Sequence, residues 1–323
     1  MSATSPVSRS ALAEGAAAAE SSPSADQPTR WRPGRRRHAY RERAAYGFIL
    51  PFFIIFGGFL LFPIVYSLVL SFSKWTAGKA TFIGLTNYKQ LFMDELFWKS
   101  LGNTALFLII QVPIMLFLAT VIAAVLNAKT TRFKGTLRTL FFLPALVDLV
   151  TYSIIFSMLF NEANGAINGF LGWFGADGVA WKTDPTWAKV MIIIVITWRW
   201  LGYNAIILLA GLQSVPGELY EAADIDGANA VQKFRRITIP MLKPILLFCT
   251  LLSTIGTLQL FAEPYILTGG GPNHATATVM LYLYDKGFGS FNFGLASAGA
   301  YIVTTLIGIL AYVQVKVTRG GEI

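Results

Sequence analysis

The chain has 323 residues, 54% of them hydrophobic and only 13% charged, with a mean hydropathy of +0.57. Soluble domains carry nearer a quarter charged residues, so these figures exclude a water-soluble globular protein and leave an integral membrane protein. Much of the formal charge of +9 comes from one N-terminal arm and so indicates no nucleic-acid partner, and a single cysteine, Cys249, excludes an intramolecular disulfide and a cysteine-based metal site.

Residues 1–29 are rich in Ala, Ser and Pro and have almost nothing to bury, which predicts disorder. ALAEGAAAAE is no signal-peptide core, because it holds two glutamates and no bulky apolar residue. RWRPGRRRHAYRER, Arg30 to Arg43, stands directly before the first apolar run. It fits a cytoplasmic anchor better than a nucleic-acid or headgroup patch. Residues 1–45 are thus set apart as a disordered cytoplasmic tail with a basic juxtamembrane arm, and residues 46–323 as the transmembrane domain.

A span needs about 20 largely apolar residues to cross about 30 Å of hydrocarbon. Six segments qualify: Tyr46–Phe72, Leu101–Asn127, Leu137–Phe160, Trp187–Leu212, Leu242–Leu267 and Gly294–Val315. Each is too long and too evenly apolar for barrel strands, so an all-α bundle is predicted. With the N-terminus inside, 18 Lys and Arg residues fall on cytoplasmic segments and 7 outside, with Arg199 within a span. Both termini, and the loop 213–241 between spans four and five, are therefore expected in the cytoplasm.

No G-x-x-x-x-G-K-[ST] phosphate loop occurs, so ATP hydrolysis is expected in a partner and no enzyme activity here. No G-x-S-x-G elbow or H-E-x-x-H occurs, and only His38 and His274 are present, so no metal or other cofactor is implied. Charges inside spans are costly and mark either helix-registering pairs or a polar path. Asp148 and Arg199 fall near the middles of spans three and four and are placed to pair. Glu263, near the outer end of span five, precedes Pro264, which is expected to loosen that helix.

The loop itself, ELYEAADIDGANAVQKFRRITIP, is charged yet helix-compatible. Ser214 is a candidate cap, Pro216 suits a first turn, and Glu218, Glu221 and Asp224 favour the positive end of the dipole. Asp226–Gly227 marks a break. A second short helix follows, with Val231, Phe234 and Ile237 on one side, Lys233, Arg235 and Arg236 exposed, and Pro240 closing it. The small pair Ala222–Ala223 lets a partner surface approach closely, and the acidic residues beside it accept hydrogen bonds. An anionic membrane surface would repel this acidic first half, which favours a protein groove as its seat.

At these residues a family becomes visible. EAADIDGANAVQKFRRITIP, Glu221 to Pro240, resembles the EAA loop of permease subunits of bacterial ABC importers: E-A-A, then D-G-A, an aromatic, and I-x-x-P. RTLFFLPALV, LLAGLQSVP, LTGGGPN and FNFGLASA extend the resemblance from about Leu50 to Val315 and look like the maltose-type, carbohydrate branch. The resemblance implies a type I importer permease fold of six transmembrane helices in the bacterial plasma membrane. It implies a heterodimer with a second permease, two copies of an ABC ATPase, an extracytoplasmic solute-binding protein, and a sugar as cargo. It also implies that the loop forms a cytoplasmic coupling helix, with Glu221, Ala222, Ala223, Asp226 and Gly227 carrying energy coupling. WRWLGYN is similar to the stretch where the maltose-type permease touches sugar, with Leu201 and Gly202 the coinciding positions. Trp198, Trp200, Tyr203 and Asn204 supply aromatic faces and an amide suited to sugar, and Gln259 is a further candidate. A second reading stays open: a stand-alone secondary transporter with Asp148, Arg199 and Glu263 as its ion relay.

Overall fold

The computed structural model describes residues 46–76, 79–128 and 131–319. The tail and basic arm lie outside the described residues, as does Lys129 of the charge count. Among the described residues, five helices are long and apolar enough to cross a membrane: Tyr46–Ser71, Glu95–Asn127, Pro185–Leu212, Ala230–Leu258 and Phe293–Thr318. These are spans one, two, four, five and six of the sequence reading. Span three is a bent pair, Lys134–Leu146 and Leu149–Leu159, with 96° between its halves.

Contacts divide the chain after Leu61. Residues 46–61 are helical and close on a π-turn, Phe56–Leu61, none of whose residues is buried. The rest, from Phe62 onward, is built around spans two and four. Small residues let these two helices approach closely: Ala119 and Ala123 of span two and Ala205 of span four are fully buried, among Met115, Leu126, Leu208 and Leu212. Span five adds Leu242 and Cys249 to this cluster. The Phe62–Ser71 helix leans on span six, where the Tyr301 hydroxyl donates to the Ile64 carbonyl at 2.6 Å.

Three expectations need correction. The continuous third span does not form, because Asp148 is a helix start rather than a mid-span charge. Its carboxylate accepts from the Val150 and Thr151 amides at 3.0 and 3.1 Å, and Asp satisfies free amides at a helix start far better than it suits an interior. Span five begins earlier than Leu242 and ends at Leu258, with a separate short helix, Ala262–Thr268. Pro264 falls in the first turn of that helix, where its missing N–H costs nothing. Nor does Pro240 close the preceding segment, since helix Ala230–Lys233, a π-turn Phe234–Thr238 and helix Ile239–Leu258 run on without interruption. Pro240 occupies the first turn after the wider π-turn, where no α-type hydrogen bond needs its nitrogen.

At the end opposite the 213–241 loop, the connections are well tied. A two-stranded hairpin pairs Ser73–Thr76 with Lys79–Phe82, and the Asn87 amide donates to the Ser71 and Ser73 carbonyls at 2.9 and 3.0 Å. Asp94 caps span two and pairs with Lys286 at 2.9 Å. Burial pushes its carboxyl up, but hydrogen bonds from Lys286 and Tyr282 outweigh this and hold it below the ordinary range. Glu162 accepts from the Lys182 and Thr183 amides, which hold its carboxyl low in the same way.

Span four meets the first half of span three most tightly at Gly202, where an added Cβ would sit 1.6 Å from the Phe141 carbonyl oxygen. Backbone cannot yield there as a flexible side chain would. Gly202→Ala should therefore cost about 1–3 kcal/mol or more, read as a lowered Tm of the purified protein, while Gly102→Ala in span two, with open space at its Cβ, should leave Tm near wild type.

Candidate translocation site and coupling loop

A cavity of about 90 Å³ lies between spans two, four and five. Its aromatic side is Trp200 and Tyr203, whose rings meet edge-on with centroids 5.8 Å apart. Its polar side is Gln111, Asn204, Ser253 and Thr257. The amides of Gln111 and Asn204 turn their nitrogens toward the Met115 sulfur at 3.2 and 3.7 Å, and Asn204 also donates to the Trp200 carbonyl. Among the described residues their amide oxygens accept no hydrogen bond, which leaves two fixed acceptors for a hydroxylated guest. No charged side chain lines this cavity.

Of the sugar-contact candidates, Trp200, Tyr203 and Asn204 are brought together here and the others are not. Trp198 packs its ring against Phe156, with centroids 4.9 Å apart, and beside Tyr152. Leu201 joins the core cluster. Gly202 is a helix-packing position, as above. Gln259 is exposed and caps the end of span five. Gln111, Ser253 and Thr257 were missed; Ser253 and Thr257, with Gly256 between them, do recur on one helical face.

The expected Asp148–Arg199 pair is not formed. Arg199 instead donates to the Val147 carbonyl at 2.8 Å, in the break of span three. Its guanidinium lies over the Tyr152 ring, 4.5 Å from the centroid, and near the Trp200 ring at 5.4 Å. The Tyr152 hydroxyl donates to the carboxylate of Glu263, which is only 3% exposed. Arg199 thus repairs the break at Val147, and its contact with Tyr152 leads on to Glu263 beside the second break, where the Thr278 hydroxyl takes the Leu260 carbonyl. A cation meets the C-terminal end of helix Lys134–Leu146, while Asp148, an anion, starts the helix that follows it, as the helix dipoles favour.

At the other end, helix Gly217–Ile225 buries none of its residues. It stops at Asp226, and Gly227 takes φ +72°, a left-handed conformation that favours glycine. The Asn229 side chain then starts the next helix in a capping box with Gln232. Ser214 does not cap this loop helix; its hydroxyl donates back to the Gly211 carbonyl of span four. Glu221, Ala222 and Asp226 are exposed, and Ala223 is half-buried. Two contacts tie the loop helix to the start of span five: Tyr220 to Thr238 at 3.0 Å, and Asp224 to Lys233 at 2.6 Å. Lys233 is therefore paired rather than free, while Arg235 and Arg236 are exposed as expected. A cleft of about 590 Å³ separates the loop helix from the ends of spans two and four.

Residues 116–318 match the family described as binding-protein-dependent transport system inner membrane component. The chain is 43% identical over 277 residues to the lactose transport system permease protein LacF of Rhizobium radiobacter, covering 84% of this chain and 93% of that protein. It is 35% identical over 275 residues to the arabinooligosaccharides transport system permease protein AraP of Halalkalibacterium halodurans, covering 84% and 87% respectively. The fold is that of a chain in a bacterial alginate ABC transporter, solved in complex with an alginate pentasaccharide-bound periplasmic protein: the TM-score is 0.74 at 23% identity, over 86% of this chain and 94% of that one.

The Tyr152–Glu263 contact is open to a direct test. Tyr152→Phe leaves a buried carboxylate without its hydroxyl donor and should cost about 1.5–3 kcal/mol, seen as a fall in Tm. Adding Glu263→Leu removes the stranded carboxylate and should return part of that loss; strictly additive losses would mean that the two residues do not act together.

Proposed function

Since the chain belongs to the family of binding-protein-dependent transport system inner membrane components, we propose that it is the permease subunit of an ATP-driven importer for neutral sugars or oligosaccharides. The single observation that carries the coupling role is the loop helix Gly217–Ile225, which buries nothing in its own chain yet is braced onto span five by Tyr220–Thr238 and Asp224–Lys233. A surface so exposed, so small at Ala222–Ala223 and so firmly connected suits a lever gripped by another subunit. Two copies of an ABC ATPase are the partners on that side, and Glu221, Ala222, Ala223, Asp226 and Gly227 form the gripped segment. ATPase closure would move the loop helix, and span five would move with it, as a two-state element biased by a ligand bound elsewhere.

The excess of Lys and Arg places this loop and both termini in the cytoplasm. The tied loops at the opposite end then face an extracytoplasmic solute-binding protein. The cavity is half of a translocation path. Trp200, Leu252 and Gly256 in its wall are exposed, so a second permease is needed to close it. Aromatic faces with amide and hydroxyl partners suit a polyhydroxylated guest, and the absence of charge from the lining favours a neutral one. Lactose and arabinooligosaccharides, which two relatives are named for, are guests of this kind.

A stand-alone ion-driven carrier is disfavoured because its required charges are engaged elsewhere. Asp148 starts a helix, Arg199 holds a carbonyl, and Glu263 holds a tyrosine.

Two substitutions separate the roles. Ala222→Trp, at an exposed position, should leave Tm unchanged while abolishing ATPase co-purification and uptake; normal uptake would sink the coupling assignment. Trp200→Ala should raise the KM for sugar uptake by about three- to tenfold, the worth of one aromatic contact, with ATPase association unaffected.

A further inference from the structure

We propose that a groove between spans five and six binds one anionic phospholipid of the inner leaflet. The proposal takes its membrane side from the orientation given above. The groove encloses about 510 Å³. On span five, Lys243, Leu246, Leu247 and Thr250 recur at i, i+3, i+4 and i+7 and so share one face. Val313 and Val317 of span six form the opposite wall.

Both wall threonines turn their hydroxyls back onto their own helices, Thr250 to the Leu246 carbonyl and Thr318 to the Gln314 carbonyl. With those hydroxyls engaged, the walls between Lys243 and Gln314 are mostly hydrocarbon, from Leu246, Leu247, Val313 and Val317. The deep end is closed by the Gln314 amide, which donates to the Thr254 hydroxyl at 2.8 Å. From Lys243 to Thr254 the helix rises about 16 Å, a depth suited to part of an acyl chain.

The mouth has the opposite character. Lys243 is exposed, and among the described residues no carboxylate pairs with it. Arg235 and Arg236 stand exposed two turns earlier on the same run, and Lys316 is exposed on span six. A cation at the rim above hydrocarbon walls matches an anionic headgroup above its acyl chain. The inner leaflet supplies such headgroups throughout, and basic pockets between helices on that side are where they settle. A protein helix in the same groove would have to bring its own carboxylate to the rim.

The test uses the assembled complex of both permeases and the ATPases in nanodiscs of phosphatidylcholine and phosphatidylglycerol. A benzophenone side chain replaces Val317, which is 73% exposed, and the mass of the photo-adduct is read. Phosphatidylglycerol adducts in excess over its share of the bilayer support the site. So does a fall of that excess by about fivefold in Lys243→Gln, the ratio corresponding to about 1 kcal/mol for one lysine at an anionic surface. Adducts that mirror the bulk lipid ratio, or that join the second permease instead, overturn it. Should the benzophenone variant fail to assemble, native mass spectrometry of lipid retained by wild type and Lys243→Gln decides the matter, equal retention overturning the proposal. Neither readout depends on uptake, so absence of sugar transport by the same complexes would count against the importer reading alone.

Discussion

In hydrocarbon every backbone amide and carbonyl must find a partner within the protein, and that requirement shapes the centre of this molecule. Two of its spans are broken. Span three turns by 96° at Val147–Asp148, and span five stops at Leu258 and restarts at Ala262. Each break frees polar groups that lipid cannot satisfy. Asp148 takes the amides that open the second half of span three, and Arg199 takes the Val147 carbonyl left by the first. Tyr152 then carries the connection to Glu263 and so to the restarted helix of span five. Asp148 and Arg199 are thus spent on backbone repair and Glu263 on a tyrosine, and none of the three lines the cavity beside them.

That assignment ties fold to mechanism. Arg199 and Gly202 lie three residues apart on span four, on one face, and both meet the third span: one holds its break, the other its closest approach at Phe141. Spans three and four are therefore locked together. Span five has a different master, since Tyr220–Thr238 and Asp224–Lys233 couple its start to the loop helix. The cavity stands between these two groups of helices.

Much of this was legible before the structure, and the omissions have a common cause. Hydropathy located the spans because it reports on twenty-residue averages. The loop's helix break was legible because its information is local: Asp226–Gly227 ends a helix through backbone conformation alone. Asp148 was misplaced because a break inside an apolar run leaves the average untouched. Tyr152 and Glu263 are 111 residues apart, and nothing in the neighbourhood of either names the other. Gln111, Ser253 and Thr257 were passed over because hydroxyls and amides in spans commonly serve their own helix, as Thr104, Thr120 and Thr250 do here. Only the packing of three spans shows which polar groups are left to face the cavity.

The cavity's position on span four follows from the same contacts. Seven residues beyond Asn204, Gly211 lets Ile245 of span five come within 2.1 Å of where a Cβ would stand, so spans four and five are pressed together on the loop side of the cavity. On the other side, Arg199 and Tyr152 hold spans three and four together, and Tyr152 reaches Glu263 of the short helix Ala262–Thr268. Where span five lines the cavity, Leu252 stands beside Ser253, Gly256 and Thr257, and these three are small enough to leave space. The cavity is thus bounded by different interactions, a hydrophobic seam at Gly211 on the loop side and the polar contacts of Arg199 on the other. Both are set by residues of a single helix, Arg199 near the middle of span four and Gly211 near its end.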